Sequence, residues 1–431
     1  MTRPRSLESL ERLGWRFGME TIRALLSVLG DPHLSLKCVH VAGSNGKGST
    51  CAFMSSYLRQ CGFQVGLYTS PHLSNIRERF RINGAWIDEI EFDNYSKKIL
   101  KACEKVRKRL GHDPTHFEAL TALAFLWFRD KKVEWAVMEV GLGGRLDATN
   151  VIENPDLSLI TPIGLEHQEI LGKKISKIAW EKAGILKEGI PAATIQYNST
   201  ALNTIRKVAK DRAVHLWVGG LDFLYTRQRN GFHWEGPGLS RLFIFPHRSD
   251  FQIMNASLAI AGMQILQQNG MKGKPGQIQR SMTEMKWPGR LEVLRKKPLI
   301  LLDGAHNPDA ARALVSFLRK EYPRKSWIVL NGFLKDKDYG TCAKILSPLT
   351  TLSLVTEPPS DRTEKGEKIF RAWEREGVSS LLVRDWKKAL VIGLIKSGVS
   401  SNPFPLLITG SLYLGGACRN RLIGYKGLER I

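Results

Sequence analysis

The chain has 431 residues, 43% of them hydrophobic and 24% charged, which is long enough for two hydrophobic cores and too apolar for intrinsic disorder. Its net charge of +23 invites a polyanionic partner, but the excess is spread as +15 over residues 1–297 and +8 over 298–431; this fits a surface that attracts a nucleotide and an acidic substrate better than a dedicated nucleic-acid reader. Six cysteines without a C-x-x-C pair, charges scattered through Met1–Phe17, and an apolar maximum at Thr121–Phe128 cut off by Arg129 and Asp130 exclude a disulfide framework, a signal peptide and a membrane span, so a cytoplasmic protein with buried thiols is expected.

In chain order, a β-rich run over Leu36–Ala42 is followed by a helix over Lys47–Gln60 and a strand over Gln64–Thr69, which is α/β order. Further strands are predicted at Glu134–Val140, Leu157–Thr161 and Ile190–Gln196, with helices at Phe117–Phe128 and Ile175–Leu186; the alternation implies a mainly parallel sheet. Residues 214–250 mix aromatics with Gly, Arg and Asn, which suits a small antiparallel insertion. Helical periodicity returns over Gln252–Gln268, and Pro288-Gly289 marks a hinge ahead of the basic run Arg295-Lys296-Lys297. A second α/β series then follows: strands at Pro298–Asp303, Ser326–Asn331, Thr351–Thr356 and Pro405–Thr409, a helix from Pro308, and helices over 364–376 and 385–396.

Between the first strand and helix lies Gly43-Ser44-Asn45-Gly46-Lys47-Gly48-Ser49-Thr50. Glycines let backbone N–H groups converge on phosphate oxygens, the helix start adds partial positive charge, and Lys47 can reach the terminal phosphates. The strict G-x-x-x-x-G-K-[ST] pattern is not met, since position 41 is Val and Gly48 follows the lysine. The strand, helix and lysine still favour a phosphate cradle over an ordinary βα turn, and the cradle alone does not distinguish motor, kinase and ligase.

Gly43–Ser49 resembles the G-T-N-G-K-G-S loop of the folylpolyglutamate synthases and dihydrofolate synthases of the Mur-ligase superfamily. The resemblance runs through Tyr68–Leu73 (YTSPHL), Glu139–Asn150 (EVGLGGRLDATN), Gly164–His167 (GLEH), Glu181–Gly184 (EKAG), Trp287–Arg290 (WPGR), Asp303–Pro308 (DGAHNP), Asp336–Asp338 (DKD) and Gly410–Tyr413 (GSLY). It implies an α/β protein with a P-loop-containing N-terminal domain, residues 1–295, of mainly parallel sheet with a small β insertion, and a smaller Rossmann-like C-terminal glutamate-ligase domain, 296–431. The implied activity is ATP-dependent addition of L-glutamate to dihydropteroate, folate polyglutamates or both, through an acyl phosphate. The implied partners are those small molecules alone, with no specific nucleic acid, no membrane, and a monomeric state.

Residue by residue, the resemblance assigns ATP to Gly43, Asn45, Gly46, Lys47, Gly48 and Ser49, and to Asn255, Arg290, Asp303 and His306 across the hinge. It assigns one Mg²⁺ to Ser70 and Glu139 and a second to His167, beside a carbamylated Lys182; Lys47, Lys182 and His167 would carry the catalysis. The pterin-bearing substrate falls to Thr115, Phe117 and Glu118 and to Leu146, Asp147 and Ala148. Taken singly, these residues admit plainer readings: Ser70 before Pro71 suits a turn, Lys182 a surface helix, Phe117 a core, and Asn255 and Asp303 local caps. Two departures bear on the fit: Ser249–Ala256 keeps Gln252 and Asn255 of the family's G-x-H-Q-x-x-N-A but lacks its Gly and His, and Glu166 stands where many relatives have Asp. Two other functions remain open at this stage, a Mur-type ligase for another carboxylate and a nucleotide-switched nucleic-acid-binding protein, the latter suggested by the charge and eleven tryptophans.

Overall fold

Strand β1, Lys37–Ala42, is buried from Cys38 onward, as a near-continuous apolar run covered on both faces must be. It is the centre of a computed structural model that describes residues 6, 7, 9, 10, 14, 16, 18–246, 249–398 and 404–424. Around it come α1 (Glu20–Val28), α2 (Lys47–Gln60), β2 (Val65–Tyr68), β3 (Phe80–Ile82), β4 (Ala85–Trp86), α3 (Glu89–Leu110), α4 (His116–Asp130), β5 (Trp135–Glu139) and β6 (Leu157–Ile160). Next are α5 (Gln168–Leu171), α6 (Ile175–Ala183), β7 (Ala192–Thr194), α7 (Ser199–Asp211) and β8 (Leu216–Val218).

These strands make one eight-stranded sheet in the order β4-β3-β2-β5-β1-β6-β7-β8. All neighbours from β2 to β8 are parallel, and only β3 and β4 turn antiparallel at the edge. Parallel strands align the carboxyl ends of β2, β5, β1 and β6 in a row, the place where ligands collect in open α/β sheets. Helix α2 is buried along Ser49–Leu58 without a polar side, as a helix enclosed by its neighbours must be.

The expected antiparallel insertion is smaller than 214–250. Leu216–Val218 joins the main sheet beside β7, and the separate sheet is the meander β9 (Leu224–Gln228), β10 (Gly231–Gly236) and β11 (Leu239–Ile244); residues 247 and 248 lie outside the described residues. Helices α8 (Asp250–Gln268) and α9 (Pro275–Glu284) follow.

The second sheet comprises β12 (Glu292–Lys296), β13 (Leu299–Leu302), β14 (Trp327–Asn331), β15 (Thr350–Glu357), β16 (Ser380–Asp385) and β17 (Leu406–Thr409), in the order β12-β13-β17-β14-β15-β16. Helices α10 (Pro308–Glu321), α11 (Tyr339–Leu346), α12 (Gly366–Arg375), α13 (Trp386–Gly398) and α14 (Leu412–Ile423) cover it. The period-2 alternation of strands divides its core: Leu301, Val329, Val355 and Leu407 pack with α10, α11 and α12, while Ile300, Leu302, Leu330 and Ile408 pack with α13 and α14. Only β12 is antiparallel, so the sheet is mixed.

The chain divides into two compact units, the first running to Ser70 and over Arg77–Met285, the second taking Pro71–Ile76 and the residues from Lys286. The second unit thus begins ahead of the expected residue 296, because β12, Glu292–Lys296, pairs with β13 and a boundary at 295/296 would cut through a strand. Among the described residues, no helix is long and apolar enough to cross a membrane.

Candidate active site

The phosphate loop leaves β1 at Gly43 and enters α2 at Lys47. Gly43 (φ 140°) and Gly46 (φ 92°) both lie at positive φ, and a methyl group on Gly43 would come within 1.8 Å of Thr161 Oγ1, one on Gly46 within 2.1 Å of Asn255 Oδ1. Only glycine meets both demands. The N–H groups of Lys47, Gly48 and Ser49 precede the first helical bond, Thr50 N to Gly46 O at 2.9 Å, so they form the donor end of the helix. Ser44, which stands where the family has Thr, pins the loop: its Oγ accepts from Gly164 N at 3.0 Å, and its N–H donates to Pro162 O.

Two ammonium groups converge on one carbonyl. Lys47 Nζ donates to Gly43 O at 2.9 Å and Ser44 O at 3.1 Å; Lys182 Nζ donates to the same Gly43 O at 2.8 Å and to Glu166 Oε1 at 2.7 Å. Lys182 is 1% exposed, so the surface-helix reading of it fails. Burial lowers its pKa, opposed by Glu166 and helped by Lys47. Burial works against the Glu166 carboxylate, yet Lys182, Lys47 and His167 together hold its pKa below the usual carboxylate range. The methylene that distinguishes Glu166 from Asp therefore ends in a direct contact with Lys182. His167 is the next residue, in the left-handed region at φ 47° and at the start of α5.

At the end of β5, the Glu139 carboxylate is buried and accepts from Ser70 N at 3.0 Å. The two expected ligands of the first metal thus meet, from the adjacent strands β2 and β5. Among the described residues no three of His, Cys, Asp and Glu converge as a ready-made cage. One buried carboxylate and a hydroxyl residue suit a hard cation whose remaining ligands are phosphate and water.

Residues Glu139–Asn150 form a loop closed on itself. Asp147 Oδ1 accepts from Thr149 N at 3.0 Å and Thr149 Oγ1 at 2.6 Å, and its Oδ2 accepts from Leu142 N at 2.8 Å. Gly144 abuts Glu181 O and Lys182 O, and Gly184 abuts Arg145, so the EVGLGGRLDATN and EKAG blocks pack backbone to backbone. All six expected substrate residues, Thr115, Phe117, Glu118, Leu146, Asp147 and Ala148, line a single cavity. Thr115 and Glu118 also form the capping box of α4, and Phe117 lies over Gly141, half-buried and facing the cavity instead of filling the core. Arg16, the glycines Gly143 and Gly144, Leu171 and Glu181 line it too; of these, sequence reading could have found Glu181 in its block, while nothing local marks Arg16. Burial raises the pKa of Asp147 and of Glu118 despite the hydrogen bonds they accept.

Asn255, expected at the nucleotide base, lies against the phosphate loop and donates to Gln252 Oε1 at 3.3 Å. The altered turn before its helix is capped after all, by Ser249 Oγ accepting from Gln252 N.

In the second unit, Asp303 is buried and bridges two turns, with Oδ2 accepting from Leu291 N and Oδ1 from Ala305 N, both at 2.9 Å. Burial raises its pKa and Arg290 opposes the shift. Arg290 sits between Gly289 (φ 77°) and Leu291 (φ 48°), and its guanidinium would come within 3.0 Å of a methyl group on Gly304. His306 is oriented by its Nδ1 against Gly304 O at 2.8 Å. The three expected nucleotide residues of this unit are therefore one local group. Asp303 thus caps the turn that follows it, and α10 has its own cap in Asn307.

Residues 289–398 match the Mur ligase, glutamate ligase domain family. The chain is 33% identical over 429 residues to the dihydrofolate synthase/folylpolyglutamate synthase of Bacillus subtilis, covering 95% of this chain and 96% of that one. Among solved structures it is similar to Mycobacterium tuberculosis folylpolyglutamate synthase complexed with ADP and AMPPCP, with TM-score 0.90, 28% identity and 97% of each chain covered. It is similar, too, to a bifunctional folylpolyglutamate synthase/dihydrofolate synthase with Mn, AMPPNP and L-glutamate bound, with TM-score 0.85, 28% identity, and 98% and 100% of the two chains covered. Identity of this extent over nearly the whole of both chains, with the fold shared throughout, places this chain in the folylpolyglutamate synthase/dihydrofolate synthase family of ATP-dependent ligases.

Proposed function

We propose that this chain joins the amino group of L-glutamate to a carboxylate of dihydropteroate, of a reduced folate, or of both. The observation that carries this reading is the single cavity lined by Thr115, Phe117, Glu118, Leu146, Asp147 and Ala148, on a loop whose first residue, Glu139, meets Ser70 and whose glycines pack on the turn bearing Lys182. A pterin is a flat polar ring, and a half-buried phenylalanine with buried carboxylates provides both stacking surface and hydrogen-bond acceptors.

The acceptor carboxylate attacks the γ-phosphorus of ATP, ADP leaves, and an acyl phosphate remains. The glutamate amine attacks its carbonyl, and the tetrahedral intermediate collapses with loss of phosphate. Carboxylate and phosphates repel each other, so the loop N–H groups and Lys47 must neutralise the transferring group. Ser70 and Glu139 would hold one Mg²⁺ and His167 a second, supplying further positive charge where phosphate is transferred. Arg290, Asp303, His306 and Asn255 are assigned to the nucleotide, and the second unit, which carries the glutamate ligase domain match, to glutamate.

Lys182 is assigned a carbamate. Its burial and the nearby Lys47 favour the neutral amine, which can add to CO2 with loss of a proton. The resulting anion would repel Glu166, so the modification goes together with the second cation. Native mass spectrometry at raised bicarbonate, with Lys182→Arg as control, tests it. In the same reading the protein works as a cytoplasmic monomer without nucleic acid.

The deciding experiment incubates the purified protein with ATP, Mg²⁺, L-glutamate and either dihydropteroate or a reduced folate. Phosphate release that requires both glutamate and acceptor is the expected outcome, and its absence with every acceptor overturns the reading.

A further inference from the structure

His40 lies in the middle of β1, three residues before the phosphate loop, and is completely buried. Its Nε2 is 2.8 Å from Thr149 Oγ1. The hydroxyl hydrogen of Thr149 is already committed to Asp147 Oδ1, at 2.6 Å, and a carboxylate only accepts. The threonine oxygen must therefore accept from His40, which places the imidazole hydrogen on Nε2 and leaves Nδ1 bare. Nδ1 is buried and has no hydrogen-bond partner among the described residues. A ring nitrogen left without a partner carries a desolvation cost, so the orientation of this imidazole is set by the Thr149 contact and not by maximal satisfaction. Burial, with Lys187 nearby, lowers its pKa to about 3, so it is a neutral donor at any working pH.

From the chain His40–Thr149–Asp147 we infer that His40 and Thr149 are positioning residues for the acceptor substrate, fixing the Asp147 carboxylate and the 141–148 loop in the shape the cavity requires. The inference rests on the reading that this cavity takes the pterin-bearing acceptor. Asp147 lines the cavity and is the centre of its loop, accepting from Leu142 N on one oxygen and from Thr149 on the other. The Thr149 hydroxyl links that carboxylate to β1, the strand from which the phosphate loop departs. Wrong hydroxyl chemistry at 149 thus loosens the acceptor wall while the glycines, Ser44 and Lys47 of the phosphate loop keep their own anchors.

The test compares Thr149→Val, which keeps the shape and removes the hydroxyl, with Thr149→Ser, which keeps the hydroxyl, and with His40→Leu and the double variant. Binding of dihydropteroate and of a reduced folate is measured by calorimetry, beside the KM for ATP. Losing the charge-assisted Thr149–Asp147 bond should weaken acceptor binding about tenfold in T149V, and losing the neutral His40–Thr149 bond should weaken it about threefold to fivefold in H40L. T149S should stay within about twofold of wild type, and the double variant should lose no more than T149V alone, because both changes break one chain. KM for ATP should move by less than about twofold throughout. Equal weakening of ATP and acceptor, or full additivity in the double variant, overturns the inference. ¹⁵N spectra of the histidine-labelled protein supply a readout independent of any ligand: His40 should show a protonated Nε2 and a bare Nδ1, with the signal displaced in T149V, and the opposite tautomer overturns the proposal outright. Wild-type protein that shows this tautomer but binds neither pterin refutes the assignment of the cavity, and with it the acceptor role of the chain, while leaving the hydrogen-bond order itself standing.

Discussion

Asp147 in the first unit and Asp303 in the second are the same device in two settings. Each is a buried aspartate that folds a loop by accepting a backbone N–H two residues ahead and another from earlier in the chain, Leu142 for Asp147 and Leu291 for Asp303, and burial raises the pKa of both. Their companions differ. Asp303 has the Arg290 guanidinium beside it, whereas Asp147 leans on the neutral Thr149 and His40. Lys47 and Lys182 donate to the Gly43 carbonyl, and Lys182 to Glu166 as well, so neither makes a hydrogen bond to Asp147. Under the proposed function, a turn that presents Arg290 to phosphate can tolerate a counter-charge in its support, while a cavity for a neutral ring is better walled by a carboxylate whose charge is already satisfied by hydrogen bonds.

The largest effect should come from Lys182→Met. It strands Glu166 as an unpaired buried charge, at a cost of about 3–5 kcal/mol, and removes the group assigned to catalysis. Urea unfolding should show the loss of stability, and steady-state turnover should fall below detection. Adding Glu166→Gln should restore most of the urea midpoint and none of the turnover; recovered turnover would mean Lys182 serves only to pair the carboxylate.

Gly43→Ala comes next. Its methyl group has no space beside Thr161 and its φ is unfavourable to an L side chain, so KM for ATP should rise by at least about tenfold, the factor that about 1.4 kcal/mol of strain produces. Unchanged ATP kinetics would remove the phosphate cradle from the proposed site.

The aspartate comparison itself is broken or sharpened by two matched variants. Asp303→Asn should cost about 1–3 kcal/mol through one poorly matched buried group and raise KM for ATP with acceptor KM unchanged. Asp147→Asn should do the reverse. If both variants shift the same constant, the two loops do not serve separate ligands.

The smallest effect is one of pH. The folded-state pKa of Glu166 is lowered by its cationic neighbours, below an unfolded value of about 4.3. The unfolded chain therefore binds more protons in that window, so the stability Glu166 contributes is full above about pH 5 and is lost as the pH falls. For Asp147 and Asp303 the sign is opposite: their raised folded values mean that ionising them costs stability as the pH climbs past about 4. Glu166→Gln should therefore flatten the acid limb of a plot of urea midpoint against pH, and Asp303→Asn should not.

The elements were legible wherever pattern and punctuation coincide. Helix α2 runs over Lys47–Gln60 as read, and the strands β1, β5 and β14 differ from expectation only at their ends, because buried parallel strands announce themselves as apolar runs. Helix α3 is masked in the sequence although Phe92, Tyr95, Ile99, Cys103 and Val106 lie on one face and Asp88 and Gly111 close its ends; its long charged surface obscures the stripe. Strand β16 leaves little trace in the sequence because Ser380–Asp385 is nowhere fully buried, and an edge strand carries a weak apolar signal. Leu216–Val218 belongs to the main sheet and not to the insertion, a distinction that three residues cannot declare, since they do not show whether their neighbour is parallel or antiparallel.

By itself the sequence determined the α/β order and the glycine–lysine loop, since strand periodicity and glycine punctuation are local properties, whereas the residues proposed for the acceptor came from the resemblance of whole blocks to a family. Only the tertiary structure decided that Lys182 is buried against Glu166 and Gly43, that Asn255 touches the phosphate loop, and that His40 reaches Asp147 through Thr149. Each of those contacts joins separate elements, and the order of the strands together with the packing of helices on them sets which residues meet. No local spacing encodes that β1 lies between β5 and β6.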